Sequence, residues 1–146
     1  MQKIDAILEG VAARLAPILA LFARVTFGWQ IYESGRGKFF VQGMDKVAGF
    51  FDNLGIPLPE LNAYLAASAE LVGGSLLILG LFTRIACVPL MITMIVAFAT
   101  AHTSDAKTIG DFFGISAIGL LAGFGIVFVY GPGSISLDHL FFKKTK

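Results

Sequence analysis

The chain is poor in residues that carry most protein chemistry. Its 146 residues include one cysteine, Cys87, and two histidines, His102 and His139. A single thiol excludes an internal disulfide and a Cys-x-x-Cys dithiol, so thiol–disulfide exchange within this chain is excluded. Charge is also scarce: Asp, Glu, Lys and Arg make up 14% of the residues and the net charge is +1. Soluble domains carry roughly 25% charged residues. No basic face stands out, so nucleic acid is not an expected partner. No metal, haem or flavin motif is present. A cleavable signal peptide is not expected either. The first apolar run continues through Val25-Thr26-Phe27-Gly28-Trp29 instead of ending at a small-residue cleavage site, and reads as a retained helix.

The chain is instead rich in apolar residues and glycine. It is 56% hydrophobic, with fourteen Phe and seventeen Gly, and its mean hydropathy is +0.80. Glycine lets helices approach closely in lipid. Four segments, at about 15–34, 62–82, 85–101 and 112–130, approach the ~20 residues a bilayer core requires. The expected fold is therefore an all-α membrane protein in one domain: a four-transmembrane-helix antiparallel bundle. Between helices 1 and 2, residues 35–61 combine an apolar face (Phe39, Phe40, Val47, Phe50, Phe51) with interspersed Lys38, Asp45, Lys46 and Asp52. That pattern suggests an interfacial helix or a re-entrant element, broken by Gly55-Ile56-Pro57. Ser136 is placed to cap a short final helix, apolar toward the membrane lipid.

Lysine and arginine set the orientation. Lys3, Arg14, Arg84, Lys143, Lys144 and Lys146 fall on one side; Arg36, Lys38, Lys46 and Lys107 fall on the other. The excess predicts a multi-pass protein with both termini in the cytoplasm. His102 and His139 then lie on opposite sides, which argues against a shared metal or haem.

Two charges interrupt the spans. Arg24 costs ~2.5–3.5 kcal/mol at mid-membrane, and the apolar residues of its segment return roughly 2.5–5 kcal/mol. Its insertion is marginal and calls for a partner. Glu70 is the expected one, with Ala66, Ala67, Gly73 and Gly74 on its side of the helix allowing close contact. Two readings are open: a buried ion pair that fixes helix register, or a polar site for a ligand or proton path. A second polar group is expected near the outer surface: Gln30, Glu33, Lys38, Tyr64, His102 and Asp111. These residues are either ordinary interfacial side chains or part of a proton-linked pocket. Gly119-x-x-x-Gly123 is a close-packing face, within the bundle or between subunits of a homo-oligomer.

Several strings occur together: Arg24-x-x-x-Gly28, Gly35-x-x-Lys38-Phe39, Gly55-Ile56-Pro57, Glu70-x-x-Gly73-Gly74-x-Leu76-Leu77-x-Leu79-Gly80-Leu81-x-Thr83-Arg84, then Met94, Ala97 and His102, and Gly131-Pro132-Gly133-x-x-Ser136-Leu137-Asp138. With these, the chain resembles the DoxX family of small four-helix bacterial membrane proteins. The resemblance implies a bundle in the bacterial inner (cytoplasmic) membrane, related to the small subunit of an archaeal thiosulfate:quinone oxidoreductase. It also implies a link to membrane-associated oxidoreductase complexes that handle oxidative or thiol stress. The paired cysteines of thiol-active four-helix quinone reductases are absent.

Two functions are expected on this basis. The first is an integral membrane subunit of a quinone-linked oxidoreductase or oxidative-stress redox complex. A quinone head group would bind around Arg24 and Glu70, with His102, Tyr64 and Glu33 as further polar partners, and a soluble oxidoreductase partner would supply electrons. The second is a non-catalytic membrane scaffold or assembly factor that recruits a soluble enzyme.

Overall fold

The computed structural model describes residues 2–102 and 116–142. The described residues form the helices α1 (Gln2–Arg36), α2 (Met44–Asn53), α3 (Pro59–Leu79), α4 (Thr83–Ala97), α5 (Ser116–Tyr130) and α6 (Leu137–Phe142). Two π-helical segments, Gly37–Gln42 and Phe98–His102, extend α1 and α4. α1 packs along α3, α3 against α4, and α4 against α5, while the short α2 folds back onto α3. This is an all-α membrane bundle with a short amphipathic helix between its first two spanning helices.

Glycine sets the α1–α3 approach. A Cβ on Gly28 would meet Leu77, Gly74 and Ile78 at 3.0–3.1 Å, and one on Gly35 would lie 2.5 Å from the backbone nitrogen of Leu71. From the α3 side, a Cβ on Gly74 would stand 2.7 Å from the Tyr32 nitrogen. Ascending positions on α1 thus meet descending positions on α3, and the pair is antiparallel. Ile31, Leu77, Cys87, Leu90, Met94, Ala117, Phe124 and Val127 form the core. Phe27 and Phe124 meet edge to face, with centroids 6.5 Å apart. Gly123 receives the Phe27 ring, where a Cβ would stand 2.6 Å away, whereas Gly119 faces open space. The close-packing role therefore falls on Gly123 and lies within the bundle.

Segment boundaries depart from expectation in physically simple ways. α1 begins at Gln2, not near residue 15, and continues past residue 34 into the π-helical segment. Its contacts with α3 run from Arg24, beside Gly80, to Phe39, whose ring meets Tyr64 at 6.2 Å. α3 has 21 residues and is about 31 Å long, the thickness of a bilayer core. Aligned with α3, α1 crosses with its second half, and the charged Lys38 lies within the packed stretch.

α3 itself runs Pro59–Leu79, three residues earlier at each end than the expected 62–82. Proline fits its first turn. Gly80 ends it in the left-handed region (φ 68), where Gly80 N donates to Leu77 O and Leu81 N to Leu76 O, a Schellman motif. The expected start of the fourth span at 112, with Asp111 and Lys107, lies outside the described residues. Ser136 caps α6 as its position suggested: His139 N donates to Ser136 Oγ at 3.1 Å.

Gly35→Ala is expected to cost about 1–3 kcal/mol, because the added methyl meets backbone and not a yielding side chain. Thermal unfolding in detergent checks this, with Gly10→Ala, which meets nothing within 4 Å, as the clash-free control that reports the helix-propensity gain alone.

Candidate functional site

Arg24 and Glu70 do not meet. The close approach of α1 and α3 fixes a register in which Arg24 lies opposite Gly80, and a Cβ there would stand 2.6 Å from the guanidinium carbon. Glu70 lies ten residues earlier on α3, about 15 Å along its axis. The expected pair is replaced by two separate polar clusters.

The first cluster closes the Arg24 end of the bundle. Arg24 is buried and donates Nη1 to Pro132 O at 2.5 Å and Nη2 to Ile135 O at 2.9 Å. The chain can present those carbonyls because Gly131 and Gly133 turn with φ 81 and 78, which glycine adopts without a Cβ penalty. Gly133 also lets the loop rest on α1, where its Cβ would touch Ala20 at 3.0 Å. Asp138 ties the same loop to the α3–α4 turn. Its backbone N–H donates to Gly80 O at 2.8 Å. Its carboxylate oxygens accept from Phe82 N at 2.7 Å and Thr83 N at 2.9 Å. Those are the orphan donors at the start of α4, so Asp138 caps that helix from 55 residues away. Arg84 Nη2 donates to Val129 O at 3.3 Å.

Two clefts open at this end. One, of about 510 Å³, is lined by Leu21, Arg24, Ile78 and Leu79 on one side and by residues 134–137, His139 and Leu140 on the other. The second, of about 440 Å³, lies over Phe82–Ile85, Pro132 and Asp138. Arg24 Nε and Thr83 Oγ1 are buried and have no hydrogen-bond partner among the described residues.

The second cluster sits at the middle of α3. Glu70 is buried and accepts from Lys38 Nζ, which also donates to Ser34 Oγ at 3.1 Å. Lys38 reaches it from the π-helical turn that follows α1. π-helical insertions occur frequently at functional sites. Tyr64 is half exposed and packs on Phe39. Glu33 is half-exposed and paired with Arg36 one turn on, at 2.8 Å. Of His102, only its place at the end of the π-helical segment Phe98–His102 is described. Of the five residues expected around one head group, the four whose side chains are described are not gathered: Arg24 lies at one end, Glu70 pairs with Lys38, Glu33 pairs with Arg36, and Tyr64 packs on an aromatic ring.

The sequence reading missed the Lys38 partnership, Asp138 and the two carbonyls. One signal was available for Lys38. Arg24, Gly28, Ile31, Gly35 and Lys38 recur at steps of four and three, so they share one helix face. No signal marked the carbonyls, because any residue type supplies one.

Two predictions follow from these contacts. Lys38→Met should cost about 3–5 kcal/mol, since it leaves a buried carboxylate unpaired. Glu70→Leu should cost less, because the Lys38 side chain is 19% exposed against 4% for Glu70 and can reach toward water. The double variant should recover most of the loss, as read by unfolding in micelles. Separately, Asp138→Ala should cost about 1 kcal/mol as a lost helix cap, and Asp138→Asn less, because its amide oxygen still accepts; the same measurement checks both.

A family model, DoxX, matches residues 19–103. An inner membrane protein of Escherichia coli, YphA, is 33% identical over 130 residues, covering 84% of this chain and 90% of that one. An uncharacterised membrane protein of Mycobacterium tuberculosis, Rv3486, is 34% identical over 108 residues, 66% of each chain. A Bacillus subtilis protein named as a putative oxidoreductase, CatD, is 41% identical over 80 residues, covering 55% of this chain and 57% of that one. The chain thus matches less than two thirds of the length of the Bacillus relative and about two thirds of the mycobacterial one. No solved structure matches it. The family match runs through α1, α2, α3 and α4, including Arg24, Lys38, Glu70 and Gly80, and the chain belongs to the DoxX family.

Proposed function

We propose that this chain is the membrane subunit of an oxidoreductase assembly and takes a quinone head group in the cleft beside Arg24. That cleft carries the reading: about 510 Å³, with apolar walls from Leu21, Ile78, Leu79 and Leu140 and polar groups from Arg24, Ser134, Ser136 and His139. Ligand sites of this kind are mostly apolar with a few placed donors. The fit rests on Arg24, which lines the cleft and whose Nε is a buried donor without an acceptor among the described residues. Of the five residues first grouped around the head group, Arg24 is the one that lines this cleft. The name of the Bacillus relative supports the redox class.

When bound, a quinone would supply two-electron, two-proton chemistry, with the electrons coming from a reduced flavin or dithiol of a soluble partner. The chain's own residues bind and orient. Ser134 and the His139 imidazole offer hydrogen bonds at the rim, and an imidazole nitrogen of His139 can pass a proton to or from solvent. Leu21, Ile78 and Leu79 exclude water and accept an isoprenoid tail. The name of the Escherichia coli relative supports placement in the inner membrane. The excess of Lys and Arg on the Arg24 side supports cytoplasmic termini, which would put the cleft within reach of a soluble donor.

A second reading, a non-catalytic scaffold, is favoured by one specific observation: each buried charge already has partners inside the chain. One titration separates the two. In lipid nanodiscs, ubiquinone and menaquinone analogues are expected to raise the unfolding temperature saturably. His139→Ala or Ser134→Ala should weaken that response about fivefold, as for one lost hydrogen bond of about 1 kcal/mol. No saturable shift with either quinone leaves the scaffold reading.

A further inference from the structure

The first half of α1 stands clear of the bundle. From Ile4 to Ala16 every residue whose side chain is described is exposed, and tertiary contact begins near Pro17 and Ala20, where the Gly133 loop rests. If α3 marks the bilayer, about 20 residues of α1 extend some 30 Å beyond it. A free helix of that length is marginal in water without tertiary packing, and this one has an apolar stripe to cover. Ile4, Leu8, Val11, Leu15, Ile18 and Phe22 are 45–69% exposed and are spaced four, three, four, three and four residues apart. That is a heptad seam. Leu8, Leu15 and Phe22 take the a positions, and Ile4, Val11 and Ile18 the d positions.

The geometry points to further copies of this chain as the occupant: we propose that three or four copies join through this seam in a parallel coiled coil. Four observations select that partner. The charged residues Asp5, Glu9 and Arg14 all fall outside a and d, so like chains meet without repulsion across the seam. Copies in one bilayer share an orientation, which makes their α1 helices parallel. Leu at a with β-branched residues at d favours more than two strands. The area is sufficient as well: six apolar side chains on each of two helices, at roughly 60–120 Å² apiece, bury on the order of 1,000 Å², the scale at which specific interfaces begin. A flat-lying membrane helix fits less well. Such helices have Lys/Arg-rich polar faces, whereas Lys3 and Arg14 are balanced here by Asp5 and Glu9, and α1 continues as one helix from Gln2 to Arg36. The seam also continues along the span, where Val25 and Trp29 keep the same spacing and stay exposed.

Single-cysteine insertion into the full chain tests this, since Cys87 is buried and the wild type serves as control. Upon oxidation in membranes, Leu8→Cys and Val11→Cys should form self-cross-linked dimers at least severalfold more than Ala13→Cys, which lies at an f position. The purified wild-type protein should show the mass of three or four copies by light scattering. Val11→Glu combined with Leu15→Glu should return it to one copy while its helical circular dichroism is retained. Equal cross-linking at all three positions, a monomer or dimer mass for the wild type, or cross-links to a different protein would overturn the proposal. So would lipid quenching of a fluorophore attached at position 8.

Discussion

The near-contact of two backbones, α1 and α3, governs the rest of this molecule. At Gly35 and Gly74 the helices approach until a single methyl group would collide with backbone atoms, and at Gly28 it would be tightly confined. In lipid, where apolar side chains gain little by leaving the hydrocarbon, such close packing is a main source of helix association. It also fixes register, because a shift by one turn would bring side chains into the places held by glycine. Everything polar in the span then falls where that register puts it: Arg24 against the Gly80 turn, and Lys38 against Glu70.

The register explains how a chain this apolar retains one buried and one half-buried cation. A lone charge at bilayer depth is costly, and the two are handled differently. Lys38 is matched by a carboxylate. Arg24 is matched by peptide dipoles: its two terminal nitrogens meet the carbonyls of Pro132 and Ile135, and the Asp138 carboxylate acts on it from farther off. Asp138 spends its oxygens on the start of α4, where helix-end donors favour a negative charge. One loop therefore serves three elements, joining α1, the α3–α4 turn and α6. The glycines of that loop are needed because their positive φ values aim the carbonyls inward.

Composition made the class of fold legible, and hydropathy placed the ends of the α3 helix within three residues, where Pro59 and Gly80 mark them. Long-range partnership was harder to read. Arg24 and Glu70 were natural partners on charge alone, since both lie on consecutive apolar segments. Depth, however, is set by packing register and not by position within an apolar run, and α1 carries far more apolar sequence than a bilayer needs. Lys38 read as the start of a surface element because charge after an apolar segment usually signals the interface; its place in the packed stretch depends on the π-helical continuation of α1, which the sequence does not announce. Gly131-Pro132-Gly133 was visible as a motif, but its role was hidden because a carbonyl leaves no mark in the sequence. Ser136 was readable as a cap because local capping depends on residues close in sequence; Asp138 was not, because it caps a helix 55 residues away.

The two faces of α1 allow the bundle and the proposed assembly to coexist. At 100° per residue, Arg24, Gly28, Ile31 and Gly35 point toward α3. The seam through Leu15, Ile18, Phe22, Val25 and Trp29 lies roughly 140° away. A residue serving one face is therefore unavailable to the other, and neither contact competes with its counterpart. The chemistry differs in the same way: the face toward α3 is rich in glycine and ends in charges, as close packing and a fixed register require, while the opposite face is bulky and apolar, as knobs in a coiled coil require. A helix that only faced lipid would have no reason to keep heptad spacing beyond the bilayer, yet here the spacing continues unbroken from Trp29 back to Ile4. That continuity makes the free half of α1 an extension of the same packing surface and sets it apart from a solvated tail.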